Sequence, residues 1–453
     1  MREVGVAEEI VVIGGGLAGS ECALSLAARG ISVRLYEQRP GGTAPAHHTK
    51  GLAELVCSNS LKATKPDSAA GLLKTELDMM GSRLLPLARA CSVPAGGALA
   101  VDRKAFSQAV TQAVEEDEHI ELVREEVREI PAGRVVIAAG PLCSPALSVA
   151  LSELVGAESL AFFDAAAPVV DAQSIDYDVV FRQSRYEGAE LGDYLNCPFE
   201  RDEYERFWDA LVNAERVVTR DFEQRELFSA CQPAEEVARK GLDTLRFGAL
   251  KPVGISNPAT GKRPWAVVQL RAENADCTAY NLVGFQTNLK WGEQARVFRM
   301  IPGLEHAEFL RYGIMHRNTF VDAPRVLDSS FAIPGTTIRL AGQITGTEGY
   351  VEAIASGVLA AANVAAELRG EDTLRLPNTG AFGALVAYAT DPQTRPYQPM
   401  HVNFGLVPPL EGKRLKKGDR YRAYAQRARE DLRAYLKAHP QLFADAHGNP
   451  LGA

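Results

Sequence analysis

Residues 8–37 read EEIVVIGGGLAGSECALSLAARGISVRLYE, and their hydrophobic pattern changes period twice. Residues 10–13 are a short β-branched run, residues 17–28 are rich in alanine and leucine at helical spacing, and residues 31–36 alternate as a second strand. Gly14, Gly16 and Gly19 therefore occupy G-x-G-x-x-G in the strand, turn, helix, strand setting that gives the motif its meaning. Gly14 permits the tight turn, Gly16 withholds a side chain so that backbone can approach a pyrophosphate, and Gly19 lets the helix lie close to its strand. The run Gly14, Gly15, Gly16, Leu17, Ala18, Gly19 is the expected dinucleotide contact, with the pyrophosphate at the positive end of the helix. Glu37, 18 residues beyond Gly19, ends the second strand where a ribose hydroxyl would be read.

Two later stretches specify the dinucleotide. Residues 133–142, GRVVIAAGPL, form a buried strand running into Gly140, a strand end that recurs in flavoproteins with two dinucleotide folds. Residues 338–368 read as strand, glycine-rich turn and long alanine-rich helix. Gly342 and Gln343 lie in the turn, and Gly349, Tyr350 and Glu352 begin the helix. The helix N-terminus suits the negative charge that develops on the N1 and O2 side of a reduced flavin, and an acid such as Glu352 is favourable in any first turn. The expected fold is α/β: a Rossmann-type FAD-binding domain of the two-dinucleotide-fold flavoprotein kind, residues 1–178 and 305–453, interrupted by an α+β insertion, residues 179–304. The insertion shows helical patterning at 200–217, turn signals at Asn257-Pro258 and Thr260-Gly261, and an alternating strand over 265–270. No second G-x-G-x-x-G is present.

Composition bounds the rest. A chain of 453 residues, 46% hydrophobic, builds more than one core. No export signal or apolar run of membrane length is visible, so a cytoplasmic protein is expected, with no membrane partner. The net charge is −8, but residues 413–437 hold ten Lys or Arg against three acids, a local +7 that leaves −15 elsewhere. Such asymmetry fits a basic tail meeting a polyanion, and equally a solvated helix face. Seven widely spaced cysteines without a C-x-x-C pair suggest reduced thiols, no disulfide framework and no metal site.

The lack of a pair counts against a disulfide reductase and makes single thiols the question. Burial is the default reading, applied to Cys22, Cys143, Cys197 and Cys277. Cys57, in AELVCSNSL, has polar neighbours Ser58, Asn59 and Ser60 that suit a site. Cys231 precedes a helix start at Pro233, where a helix dipole favours a thiolate.

Ten stretches in order between residues 11 and 407, among them ELVCSNSLKA, GKRPWAVVQLR, YNLVGFQTNLKWGEQ, YGIMHRNTF and AGQITGTEGYVEA, resemble the folate- and FAD-dependent tRNA (uracil-5) methyltransferases, the TrmFO family. Gly15, where that family commonly has alanine, and Gln343-Ile344 are small departures. The resemblance implies that a methylene group passes from methylenetetrahydrofolate to N5 of reduced FAD and then to C5 of a T-loop uridine of tRNA, with NADH or NADPH as reductant. It implies two catalytic cysteines, matching Cys57 and Cys231: one adds to uracil C6, and the other acts as base or protects the flavin. Cys231 is the expected nucleophile, with the opposite assignment open. It also sets His316, with Arg317 and Asn318 beside it, against the folate pterin, although His316 alone reads as an ordinary core or turn histidine. His47 and His48 follow a proline-rich turn and read equally as flavin neighbours or a polar loop.

For RNA, Lys251, Lys262, Arg263 and Arg271 on the insertion, with the 413–437 tail and its Tyr421, Tyr424 and Tyr435, are the expected phosphate contacts and stacking surfaces. Three rivals stand beside this reading. They are the same chemistry on ribosomal RNA, a flavin-dependent disulfide or quinone reductase, and a non-catalytic FAD-stabilised RNA-binding protein.

Overall fold

The computed structural model describes residues 9–41, 47, 49–156, 160–165, 167–186, 192–217, 232–313, 315–395, 397–411, 415–445, 447 and 449–451, and for 160–165 and 315–318 the backbone course alone. Five strands form a parallel sheet in the order Ile338–Leu340, Val135–Ile137, Ile10–Ile13, Val33–Tyr36, Ile120–Val123. Parallel neighbours require crossovers, and helix Leu17–Ala27 supplies the first. Every residue of that helix is buried, because the sheet covers one side and helix Tyr350–Leu368 the other. Its polar side chains, Ser20, Glu21 and Ser25, are therefore buried as well and find their partners inside. Small residues set the helix approach: a Cβ on Gly357 would lie 2.4 Å from the Ala18 carbonyl oxygen. Tyr350–Leu368 is the one helix among the described residues long and apolar enough to cross a membrane, and its burial here accounts for that composition.

Buried carboxylates tie the helices together. Glu21 accepts from Ser25 Oγ, Ser82 Oγ and the backbone N–H groups of Arg83 and Leu84, joining the first helix to the head of Leu84–Ala90. Glu76 accepts from the N–H groups of Ala381 and Phe382 at the start of helix Ala381–Thr390. Burial raises both carboxyls, Glu76 to about 7, against the opposing pull of these donors.

A second core gathers residues between Val170 and Ala307 under an antiparallel sheet. Its order is Phe181–Arg182, Tyr194–Phe199, Ala266–Ala272, Ala279–Leu282, Val169–Asp171, Phe309–Arg311. Two of these strands lie outside the 179–304 limits drawn from composition, since three-residue strands carry too little pattern to mark a boundary. The chain enters and leaves this unit through a paired ribbon, Leu160–Ala165 against Met315–Phe320, with His316 opposite Asp164.

Glu76 gives a pH test. Its folded value of about 7 exceeds the ordinary 4.5, so its contribution to stability is complete below about 4.5 and lost as pH rises through about 7. Urea unfolding of the wild type should therefore weaken between about pH 5 and 8. Glu76→Ala should reduce that slope while costing on the order of 2–4 kcal/mol, because two buried N–H groups lose their acceptor.

Candidate active site

A cleft crosses the carboxyl ends of the parallel strands. Its wall takes Gly14, Gly15, Gly16, Leu17 and Ala18 from the end of Ile10–Ile13, Glu37 after Val33–Tyr36, residues 125–127 after Ile120–Val123, Gly140 after Val135–Ile137, and Gly342 and Gln343 after Ile338–Leu340. Ligands of open α/β sheets sit at this edge. The glycines divide the work as their spacing requires. Gly14 has φ +106° and a Cβ there would lie 2.6 Å from the Ala138 oxygen, while one on Gly19 would lie 1.8 Å from the Gly14 oxygen. A Cβ on Gly16 would meet nothing within 4 Å, so the missing side chain opens onto the cleft. At Gly15 a methyl group would lie 2.5 Å from Leu52 Cδ2 and 2.9 Å from Glu37 Oε2, both side-chain ends. An elongated cleft with a bare backbone at a helix N-terminus fits a dinucleotide.

Glu37 lies in the cleft wall with its acceptor positions taken. One oxygen accepts from Gly15 N and Arg39 Nη2, the other from Arg39 N and Nε, and Arg39 also binds Glu54. Burial pushes the Glu37 carboxyl up, but hydrogen bonds and charge from Arg39 outweigh it and hold the group below its ordinary range. Reading a ribose with Glu37 requires Arg39 to release one of these bonds.

At the far end, the Tyr350 phenol oxygen accepts from Cys57 N at 2.8 Å and Ser58 N at 3.2 Å. The first residue of the buried helix thus fixes the Cys57 loop, and Tyr350 and Val56 both line the cleft. Burial and the adjacent Cys57 push the Tyr350 phenol upward. From the second unit, Arg271 donates to Asn59 Oδ1 at 2.7 Å and Ser58 Oγ at 2.8 Å, while Asn59 donates to the Val101 and Ala272 carbonyls. Arg103 donates to the Leu55 carbonyl and pairs with Glu273. Arg103, Arg271 and Arg311 all have Cys57 within electrostatic reach. Burial pushes Arg271 and Arg311 down, whereas Glu273 overcomes burial and holds Arg103 up. The Cys57 loop thus lies at the seam of the two units, held by Arg103 and Arg271, with Arg311 within electrostatic reach.

The sequence matches the family described as glucose inhibited division protein A over residues 9–372. It is 54% identical to a Moorella thermoacetica protein named methylenetetrahydrofolate–tRNA-(uracil-5-)-methyltransferase TrmFO, over 94% of this chain and 98% of that protein. The protein of that name from Geobacter sulfurreducens is 56% identical, with 94% and 98% covered. The chain belongs to the TrmFO family. Among solved structures, Aquifex aeolicus GidA superposes with a TM-score of 0.67 at 17% identity, covering 96% of this chain and 77% of that one, and it shows the α/β flavoprotein fold.

The family motifs do not all point into the cleft. Gly349, with φ +122°, caps the Tyr350 helix behind the wall. Glu352, expected beside the flavin, is fully buried and instead pairs with Lys62 at 2.9 Å and accepts from Val402 N. Arg271, expected on the RNA surface, is 7% exposed and holds the Cys57 loop. Lys251 is partly buried, whereas Lys262 and Arg263 are exposed beyond a turn organised by Asn257. Of the tail tyrosines, Tyr424 is buried against Phe404, whereas Tyr421, also on Phe404, and Tyr435, stacked on His439, stay partly exposed. Helix Lys417–Ala438 seats its apolar stripe on the fold. Lys413 and Arg414 lie outside the described residues, as do His48 and Cys231. The helix after Cys231, Ala234–Ala238, is only five residues, too short for the strong dipole that its sequence suggests. His316, Arg317 and Asn318 lie on the paired ribbon by backbone course. Cys22 and Cys197 are buried, with Cys22 pushed up to about 12 by desolvation. Cys143 instead lines the cleft, and Cys277 is partly exposed. Among the described residues no cluster of three His, Cys, Asp or Glu could hold a metal. The roles of Arg103, Glu273 and Arg311 were hidden in the sequence, because each becomes meaningful only through contacts across the seam.

Tyr350→Phe tests this seam directly. Losing the phenol oxygen leaves two N–H groups without their acceptor, so the variant should fold and bind flavin while turnover falls roughly 10- to 100-fold. Flavin absorbance and single-turnover rates separate the two effects.

Proposed function

We propose that this protein methylates C5 of the T-loop uridine of tRNA, position 54, using methylenetetrahydrofolate as one-carbon donor, FAD in the cleft and NADH or NADPH as reductant. The work is assigned to the cytoplasm, where these substrates meet. Residues 14–18, Glu37 and Gly140 would hold the nucleotide half of the cofactor, with Gly342, Gln343 and Tyr350 at the flavin end. When bound, the flavin supplies transfer and reduction of the one-carbon unit. The observation that carries the reading is the pair of hydrogen bonds from the backbone N–H groups of Cys57 and Ser58 to Tyr350, which ties the Cys57 loop to a residue of the cleft wall.

The chain's own residues meet the demands of the pyrimidine. Uracil C5 is a poor nucleophile until a thiolate adds to C6, which breaks the C5–C6 π bond and places its electron pair on C5 and O4. After C5 bonds to the one-carbon unit, a base takes the C5 proton and the unit's bond to its donor breaks, leaving an exocyclic methylene; a hydride then completes the methyl group as the thiolate leaves C6 and the C5–C6 double bond is restored. We assign addition at C6 to Cys231 and proton removal to Cys57, whose guanidinium neighbours favour an anionic group. Of the described residues on either side of Cys231, Val217 N donates to Asn288 O and Ala234 N to Gln286 O. His316, Arg317 and Asn318 are proposed for the folate side, and Lys251, Lys262, Arg263 and helix Lys417–Ala438 for RNA phosphates.

The test uses a T-arm transcript, NADPH and methylenetetrahydrofolate labelled in its methylene carbon. Wild type should place label at uracil C5, Cys231→Ala should give none and no covalent RNA adduct, and Cys57→Ala should retain the adduct without product. An adduct that survives in Cys231→Ala and vanishes in Cys57→Ala reverses the assignment. Label in ribosomal RNA alone would overturn tRNA as substrate. Separately, RNA affinity should fall steeply with salt, and Lys262→Ala with Arg263→Ala should reduce the logarithmic slope by about 1 for each phosphate no longer neutralised.

A further inference from the structure

Resting on the RNA reading above, we propose that the indole of Trp291 is the stacking platform for an unpaired nucleobase beside the target uridine. Trp291 is 63% exposed at the head of helix Trp291–Phe298, yet it is firmly backed. It stacks on Tyr312 with ring centroids 5.8 Å apart and planes 15° apart, and Tyr312 stacks on Phe309 at 5.2 Å and 20°. Phe309 in turn meets buried Phe298. A ladder of rings therefore runs from the second core to solvent and presents its last face outward. The other two tryptophans are engaged elsewhere: Trp208 donates to the Ala238 carbonyl, and Trp265 lies 3.9 Å beneath the Arg246 guanidinium.

Its position is what gives this face a use. Lys290, the residue before Trp291, donates its N–H to the Glu215 carbonyl, and residues 286–288 hold both flanks of the segment bearing Cys231. Buried Glu235 reinforces the join by accepting from Thr287 Oγ1 and Asn288 N. On the other side, buried Gln294 bonds both backbone groups of Gly313, and Arg311, one residue before Tyr312, has Cys57 within electrostatic reach. The indole thus follows directly on the stretch, residues 286–290, that anchors Glu215, Val217 and Ala234, and its stacking partner Tyr312 follows Arg311.

Extruding a uracil from its loop leaves neighbouring bases without their stacking partner, and a flat aromatic face accepts any of them. The adjacent charges are already paired, Lys290 with Glu215 and Arg296 with Glu293, so the patch offers stacking without a net cation. That matches an uncharged base better than the carboxylate-bearing tail of a folate.

Three proteins decide it: wild type, Trp291→Ala and Trp291→Phe, each loaded with FAD and assayed with an unmodified T-arm hairpin. Trp291→Ala should raise Kd and KM for the hairpin about 5- to 150-fold, leave KM for methylenetetrahydrofolate in place, and be largely rescued by Trp291→Phe. Wild-type methylation with identical hairpin Kd and KM in Trp291→Ala would overturn the platform and leave the function standing. A rise in folate KM alone would put the folate ring on the indole and also overturn it. A wild type that neither binds nor methylates the hairpin would overturn both readings.

Discussion

The crossing of Leu17–Ala27 and Tyr350–Leu368 is the constraint from which the rest follows. Glycine at 357 lets the second helix press against the Ala18 carbonyl, and no larger residue fits there without moving backbone. Two helices more than 300 residues apart in sequence are thereby locked side by side, with the start of each at the cleft. The first start bares the backbone of Gly16. The second carries Tyr350, which reaches on to Cys57. Dinucleotide cradle and thiol are consequently referenced to the same pair of helices, so their spacing depends on a packed core rather than on loops.

The seam between the units is built differently, from polar groups. Asn59 satisfies carbonyls on both sides, Arg271 reaches from the second unit to Ser58 and Asn59, and Arg103 joins the Leu55 carbonyl to Glu273. Buried groups of this kind contribute modest net stability but make any misalignment expensive. Such a seam holds the thiol in register with two units at once.

Much of the fold was legible because it rests on local patterns. Ile10–Ile13, the glycine turn and the helix beginning at Tyr350 follow from residues that are neighbours in sequence. What could not be read was pairing at a distance. Glu352 suggests a first-turn acid at a ligand, but Lys62, 290 residues away, claims it. Arg271 looks like any exposed arginine until Ser58 and Asn59 bond to it, and Tyr424 looks available until Phe404 packs on it. The short strands Val169–Asp171 and Phe309–Arg311 carry almost no periodicity, and only their pairing assigns them to the second sheet.

The paired ribbon, Leu160–Ala165 with Met315–Phe320, bears on how such a protein is assembled and inherited. Outgoing and returning chains run side by side in register over six residue pairs, from Leu160 with Phe320 to Ala165 with Met315. The parallel sheet therefore experiences the whole intervening unit as it would a hairpin turn, with ends already in contact. Loop-closure entropy grows only slowly with the length enclosed, so a unit joined in this way can be enlarged, trimmed or exchanged at little thermodynamic expense to its host.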